Sequence, residues 1–221
     1  MANPINVIIT GTTGMVGEGV LHECLNSPEV SSILIINRKP AGLSHPKLKE
    51  IIHSDFFDLS PIIDQLSGYH ACFFCLGISS IGVKKEEYYR MTYTLTMHVA
   101  TILAKQNPDM TFNYISGAGT DSNEKGTGWA AVKGKTENHL MQLPFKKVYA
   151  FRPGFIKPTK GLKHTHKFYH YINWIFPVAR AVYPNGFCTM RELGQAMIHS
   201  VTKGWHKSVI DGKDIIALAK K

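Results

Sequence analysis

Asn6–Thr10 (NVIIT) is a short β-rich run that ends directly in TGTTGMVGEG, with Gly11, Gly14 and Gly17 three residues apart. Beyond it Met15, Val16, Val20, Leu21, Cys24 and Leu25 recur at helical spacing, and Asn26, Ser27 and Pro28 close that helix. A strand that turns through G-x-x-G-x-x-G into a helix uses each glycine differently. The first permits the tight turn, the second lets backbone approach a pyrophosphate, and the third lets helix and strand pack closely. Free N–H groups and the helix dipole favour phosphate charge at the same point. Thr12 and Thr13 can add hydroxyl donors. The opening of the chain therefore predicts a bound dinucleotide.

The strand–helix alternation continues. Ile33–Ile36, Glu50–Ser54, Ala71–Leu76, Thr111–Ile115 and Lys147–Phe151 read as strands, and Glu86–Ala104 and Trp129–Met141 as helices. The unbroken apolar run at Ile33–Ile36 suits a strand buried on both faces. Such alternation predicts the α/β class: a Rossmann-type, doubly wound parallel sheet. After Pro153 the pattern breaks into a basic, aromatic stretch. It resumes with a helix over Thr189–Val201, N-capped by Thr189 with Glu192 at the capping-box position, and a short helix over Asp211–Lys221. The expected organisation is a dinucleotide-binding domain over 1–154 and a small C-terminal lobe over 155–221, laid on the edge where open α/β sheets bind ligands.

The end of the second strand bears on the cofactor. An acidic residue about 20 positions after the glycines holds a ribose 2′-OH. Here that place is Asn37, followed by Arg38 and Lys39, without a carboxylate. Arg38 can pair with a 2′-phosphate through charge-assisted hydrogen bonds. NADP(H) is the expected cofactor, with NAD(H) the alternative.

Composition narrows the setting. Of 221 residues 44% are hydrophobic and 19% charged, which excludes a disordered polymer. Four cysteines are too few for a stapled secreted scaffold, the N-terminus lacks a basic leader, and no apolar stretch is long enough to span a bilayer. The expected location is cytoplasmic. The net charge of +9 sits wholly between Asn138 and Arg191, which holds nine Lys and Arg and no Asp or Glu. That field would attract anions: a phosphorylated substrate or an acidic lipid surface. Nucleic acid is not expected, because no recognition motif accompanies the charge. Phe168–Tyr183 (FYHYINWIFPVARAVY) reads as a lobe core, an apolar substrate pocket, a peripheral membrane contact or a dimer face. Either a monomer or a homodimer fits. Cys72 and Cys75 are three apart in a strand, so they point to opposite faces and form no redox or zinc pair. His164, His166 and His170 lack a carboxylate or thiolate beside them, so no metal is expected. Asp121–Gly128 is polar and glycine-rich and reads as a mobile loop over the nicotinamide.

Several motifs together carry a resemblance: TGTTGMVGEG, Asn37-Arg38, Asp55, the CLG at Cys75–Gly77, the ISG at Ile115–Gly117, AVKGKTE at Ala131–Glu137, FRPG at Phe151–Gly154 and TMRELGQAM at Thr189–Met197. The chain resembles the short-chain dehydrogenase/reductase superfamily. Within it, the match is to the atypical NADP-binding branch related to the Tat-interacting-protein reductases and to bacterial epimerase-like proteins. The resemblance implies that Gly11, Thr13, Gly14, Met15, Val16 and Gly17 line the pyrophosphate, and that Asn37 and Arg38 meet the 2′-phosphoribose. Asp55 and Phe56 would contact adenine, Leu76 and Gly77 would pass under its ribose, and Pro153, Gly154 and Phe155 would flank the carboxamide. It implies catalytic roles for Ser116 and for Lys133, which would also hold the nicotinamide ribose.

One position departs from the family. Four residues before Lys133 the family has a tyrosine that handles the substrate proton; here stands Trp129, whose indole N–H is no acid or base near neutrality. Three readings follow. The chain is an oxidoreductase acting on a small carbonyl or hydroxyl compound, anionic or apolar, with its proton from Tyr88, Tyr89, Tyr93, His139 or water. Alternatively it is a non-catalytic NADP(H) redox sensor, or an enzyme that uses the cofactor only transiently.

Overall fold

The computed structural model describes residues 3–126, 128–164, 176–183 and 186–221. Seven parallel strands form one sheet: β1 (Ile5–Thr10), β2 (Val30–Asn37), β3 (Leu48–Ile52), β4 (Ala71–Phe74), β5 (Thr111–Ile115), β6 (Lys147–Arg152) and β9 (Val209–Asp211), in the order β3-β2-β1-β4-β5-β6-β9. The chain winds outward from β1 to β3, then restarts at β4 on the other side of β1. Strand order reverses between β1 and β4, which opens a crevice at their carboxyl ends.

Alternation along each strand feeds two hydrophobic layers. Val7 and Ile9 of β1, Ile33 and Ile35 of β2 and Ala71 and Phe73 of β4 pack with Val20, Leu21 and Cys24 of α1 (Met15–Asn26). Ile8, Leu34, Cys72, Phe74 and Phe112 face the other way, against Leu95, Val99 and Leu103 of α3 (Leu95–Gln106) and Leu140 of α4 (Trp129–Leu140). Cys72 lies in the second layer and Cys75 against the first, as their spacing requires, and both are free thiols. Burial pushes both thiols up, so neither is a ready thiolate.

The long helix expected over Glu86–Ala104 is α2 (Lys85–Tyr89), a π-turn at Arg90–Thr94, then α3. The extra residue in that turn re-phases Tyr88 and Tyr89 against the rest of the helix.

The part after Gly154 packs against the sheet and adds a strand to it. β7 (Phe155–Lys157) pairs with β8 (Phe187–Thr189), and Phe155, Phe187 and Phe176 of α5 (Phe176–Val182) form an aromatic cluster with centroids 5.8–6.2 Å apart. α6 (Met190–Thr202) begins with the Thr189–Glu192 capping box that the sequence predicts. Leu193, Ala196 and Met197 of α6 then enter the same core layer as α1. The two helices touch closely because a Cβ on Gly19 would overlap the Met190 side chain, and one on Gly194 would stand 2.6 Å from Glu23 Cγ. β9 adds the outer strand beside β6, and Asp211 caps α7 (Gly212–Ala219). Phe168–Ile175, Pro184 and Asn185 lie outside the described residues, as do His166 and His170, so the readings of the aromatic stretch rest on Phe176–Tyr183 alone. Among the described residues no helix is long and apolar enough to cross a membrane, and no group of His, Cys, Asp and Glu could hold a metal ion.

Candidate functional site

The parallel sheet brings the sequence-predicted residues to one edge. Gly11–Gly17 follow β1, Asn37 and Arg38 lie at the end of β2, Asp55 and Phe56 after β3, Leu76 and Gly77 after β4, Ser116 after β5, and Pro153 and Gly154 after β6. The first and third glycines are demanded by the protein itself. Gly11 has φ +73°, and a Cβ there would lie 2.7 Å from the Cys75 carbonyl oxygen at the end of β4; a Cβ on Gly17 would overlap the Gly11 carbonyl. Gly14 differs. Its φ of −109° suits any residue, and an added Cβ would meet only Gly11 O, at 3.5 Å. It is exposed, at the N-cap of α1, where no side chain caps the helix. Open space and an uncapped helix start suit a pyrophosphate. The residues therefore fit a dinucleotide. Met15 and Val16 turn their side chains into the core, so only their backbone N–H groups serve this place.

At the adenosine end two expectations need correction. Asn37 is only 3% exposed and its amide is bonded at both ends: Oδ1 accepts from Thr12 Oγ1 at 2.9 Å, and Nδ2 donates to Glu50 Oε1 at 2.9 Å. It ties the glycine loop to β3 instead of offering itself to a ribose. Thr12, buried by the same bond, is likewise no free phosphate donor, whereas Thr13 is exposed. Phe56, within the seven-residue link between β3 and the Ser60–Gln65 3-10 turn, is 4% exposed and packs in the core with Leu59 and Ile62; its ring is not an adenine contact. Asp55 is exposed, and its Oδ1 accepts the Phe57 N–H at 2.8 Å, shaping that turn. Arg38 and Lys39 are exposed at the β2 end. Leu76 packs on the second core layer and Gly77 is exposed.

At the other end Ser116 is buried. Its N–H donates to Phe151 O at 2.8 Å, and its hydroxyl pairs with Thr120 Oγ1 at 3.0 Å. Lys133 reaches in from α4: its Nζ donates to Ile115 O at 3.1 Å and stands 5.3 Å from the Tyr114 ring centroid. Burial pulls its ammonium down to about 8, opposed by the nearby Glu137 carboxylate. Glu137 is itself buried and held by the forked Arg152 guanidinium, with Nε 3.0 Å from Oε1. Trp129, one helical turn before Lys133, is 39% exposed and lies against the loop after Ser116, 3.8 Å from the Cβ position of Gly117 and 3.6 Å from that of Gly119. Pro153 O accepts from Ala118 N at 2.9 Å, and a Cβ on Gly154 would overlap the Gly186 carbonyl, so the β6 end is packed tightly here, with Phe155 beginning β7.

The alternative proton donors lie elsewhere. Tyr93 Oη and His139 Nδ1 share a hydrogen bond at 2.6 Å, and Lys135 stands over both the Tyr89 and Tyr93 rings. That cluster occupies the Lys135 side of α4, not the Lys133 side, because positions two apart diverge on a helix. Tyr88 is buried, and burial raises its hydroxyl above the usual range. Of the stretch expected as a lid, Thr127 lies outside the described residues, and Asp121 and Ser122 are held in place. Asp121 N donates to Ala130 O at 3.1 Å, Asn138 Nδ2 to Ser122 O at 3.0 Å, and a Cβ on Gly134 would overlap Asp121 O. A glycine facing that loop was the available signal of close contact. The partners of Asn37 and Ser116, namely Glu50 and Thr120, escaped sequence reasoning because they are ordinary polar residues whose meaning is set by tertiary neighbours.

A crevice at the strand-order reversal and a glycine-lined helix start define a Rossmann-type fold with a place for a nucleotide. Residues 7–128, more than half of the chain, match the NAD dependent epimerase/dehydratase family, and the chain belongs to that family. It is 29% identical over 164 residues to Leucinostatins biosynthesis cluster protein T of Purpureocillium lilacinum, covering 72% of this chain and 60% of that one. It is 26% identical over 153 residues to Protein HTATIP2 of Rattus norvegicus, covering 68% and 62%. To Protein FMP52, mitochondrial, of Saccharomyces cerevisiae it is 25% identical over 154 residues, covering 68% and 65%. The chain thus spans less than two thirds of these relatives' lengths. Solved structures share the fold. A UDP-N-acetylglucosamine 4-epimerase from Methanobrevibacter ruminantium matches 94% of this chain and 76% of its own at TM-score 0.67 and 16% identity. A short chain dehydrogenase family protein from Francisella tularensis matches 96% and 98% at TM-score 0.63 and 15% identity.

Proposed function

We propose that this chain binds NADP(H) along the β1/β4 crevice and reduces a small carbonyl compound. Gly14 carries the reading: neither its backbone angles nor its neighbours demand glycine, yet it stands open on an uncapped helix start. Gly11, Thr13, Gly14 and the N–H groups of Met15, Val16 and Gly17 would hold the pyrophosphate, and Arg38 the 2′-phosphate. Asp55, Leu76 and Gly77 would border the adenosine, and Pro153, Gly154 and Phe155 the carboxamide.

The bound cofactor supplies a hydride. The protein must orient the carbonyl and deliver a proton to its oxygen. Thr120 Oγ1 donates to Gly117 O at 2.8 Å and so accepts the Ser116 proton; Ser116 can donate a hydrogen bond to the substrate oxygen once its hydroxyl turns away from Thr120. Lys133 is the titrating group beside it, and its value of about 8 keeps it protonated at neutral pH yet able to give the proton up. A reduction that needs the ammonium is fast below that value and falls as pH rises through it. We predict that kcat declines with an apparent pKa near 8. Lys133→Arg, protonated throughout, should show no such decline; a decline that persists in this variant places the proton elsewhere. The compartment we propose is the cytoplasm, which cell fractionation tests.

For the cofactor, Arg38→Glu should weaken NADPH about 30-fold or more while changing NADH less than about threefold, since a charge-assisted pair to phosphate becomes a like-charge repulsion. Equal losses would overturn the phosphate assignment. Trp129 at the tyrosine position favours the second reading, a redox sensor. The two separate on whether NADPH is oxidised when aldehydes, ketones and quinones are supplied: tight binding without turnover on any of them selects the sensor.

A further inference from the structure

The segment beyond β7 returns to the adenosine end of the crevice. Glu18, in the first turn of α1, is 9% exposed, and both its oxygens are spent on backbone: Oε1 accepts Lys163 N and Oε2 accepts His164 N, each at 2.7 Å. His164 Nδ1 stands a further 3.5 Å from Oε2. A carboxylate that receives two short charge-assisted bonds fixes residues 163 and 164 against the start of α1. From that anchor the Lys163 side chain extends toward the loop after β2, with Nζ 3.9 Å from the Cβ position of Gly42. Gly42 follows Ala41, whose N–H donates at 2.9 Å to Glu50 Oε1, the same oxygen that holds Asn37. A closed ring results, running from Thr12 through Asn37, Glu50 and Ala41–Gly42 to Lys163 and back through Glu18 to α1. It ties the glycine loop to the end of β2, where Arg38 follows Asn37, and brings Lys163 to the loop beyond. Lys163 is exposed, and among the described residues its ammonium has no hydrogen-bond or ion-pair partner.

We infer that Lys163 is a specificity-determining cation for the 2′-phosphate, meeting it from the side opposite Arg38, with Glu18 as the positioning residue that aims it. The inference rests on the NADP(H) reading above. It adds that discrimination between the two nicotinamide cofactors comes partly from the C-terminal third of the chain, not only from the β2 end. A 2′-phosphate between two cations from separate segments gains specificity because NADH offers neither of them a partner.

The test measures NADPH and NADH dissociation constants on the full chain by calorimetry. Lys163→Ala should weaken NADPH about threefold to fivefold and Lys163→Glu at least about tenfold, with NADH altered less than about twofold, while Lys163→Arg keeps the parent ratio. The parent NADPH/NADH preference should also fall with added salt, and less steeply in Lys163→Ala. An unchanged NADPH/NADH ratio in Lys163→Ala and Lys163→Glu, beside a collapsed ratio in Arg38→Glu, overturns the role of Lys163 and leaves the NADP(H) reading standing. A parent that binds both cofactors equally overturns both.

Discussion

Gly14→Ala should leave the protein folded and abolish its cofactor binding, whereas Gly17→Ala should damage the fold itself. At Gly14 a methyl group meets only an ordinary contact with Gly11 O at 3.5 Å, and the backbone is already extended. Stability should change by no more than about 0.5 kcal/mol. The methyl would nevertheless stand where a pyrophosphate must touch backbone, and binding should weaken at least about 100-fold, or about 2.7 kcal/mol. At Gly17 the methyl would overlap the Gly11 carbonyl and stand 2.9 Å from Thr12 N. Backbone cannot yield there without breaking the β1 turn, so we expect a loss of roughly 2–4 kcal/mol. Thermal unfolding and NADPH titration of both variants check this. A Gly14→Ala protein that binds NADPH like the parent removes the pyrophosphate from this helix.

The second large effect is a gain. Trp129→Tyr should raise NADPH-dependent reductase turnover at least about tenfold, within the range that a positioned general acid contributes. Residues 129 and 133 lie one turn apart on α4, and the Trp129 ring already packs beside the loop that follows Ser116. A tyrosine hydroxyl in that space would stand near the Lys133 ammonium, whose charge lowers a phenol's pKa. Turnover should rise with little change in cofactor affinity, because Trp129 makes no contact that the adenosine half requires. Lower or unchanged turnover with intact NADPH binding would mean that Lys133 and Ser116 handle the proton by a route that a phenol does not improve.

The residues decided unequally how much could be read in advance. Gly11, Gly17 and the Thr189–Glu192 cap were legible because each answers to a local constraint: a positive φ, a close helix–strand approach, and orphan N–H groups at a helix start. Phe56 was not, because whether an aromatic after a strand faces ligand or core depends on the next turn. Asn37 was placed correctly at the strand end, but its partners Thr12 and Glu50 come from other elements and bond its amide at both ends.

Read in one dimension, then, the chain specified its alternating elements, the dinucleotide loop and the missing tyrosine, since periodicity, glycine spacing and side-chain chemistry are properties of neighbouring residues. Only folding decided that the last strand joins the main sheet, that Tyr93 and His139 bond each other on the far side of α4, and that Glu18 holds Lys163 toward the β2 loop. Those outcomes depend on contacts between residues far apart along the backbone, where packing and charge select partners that no local pattern encodes.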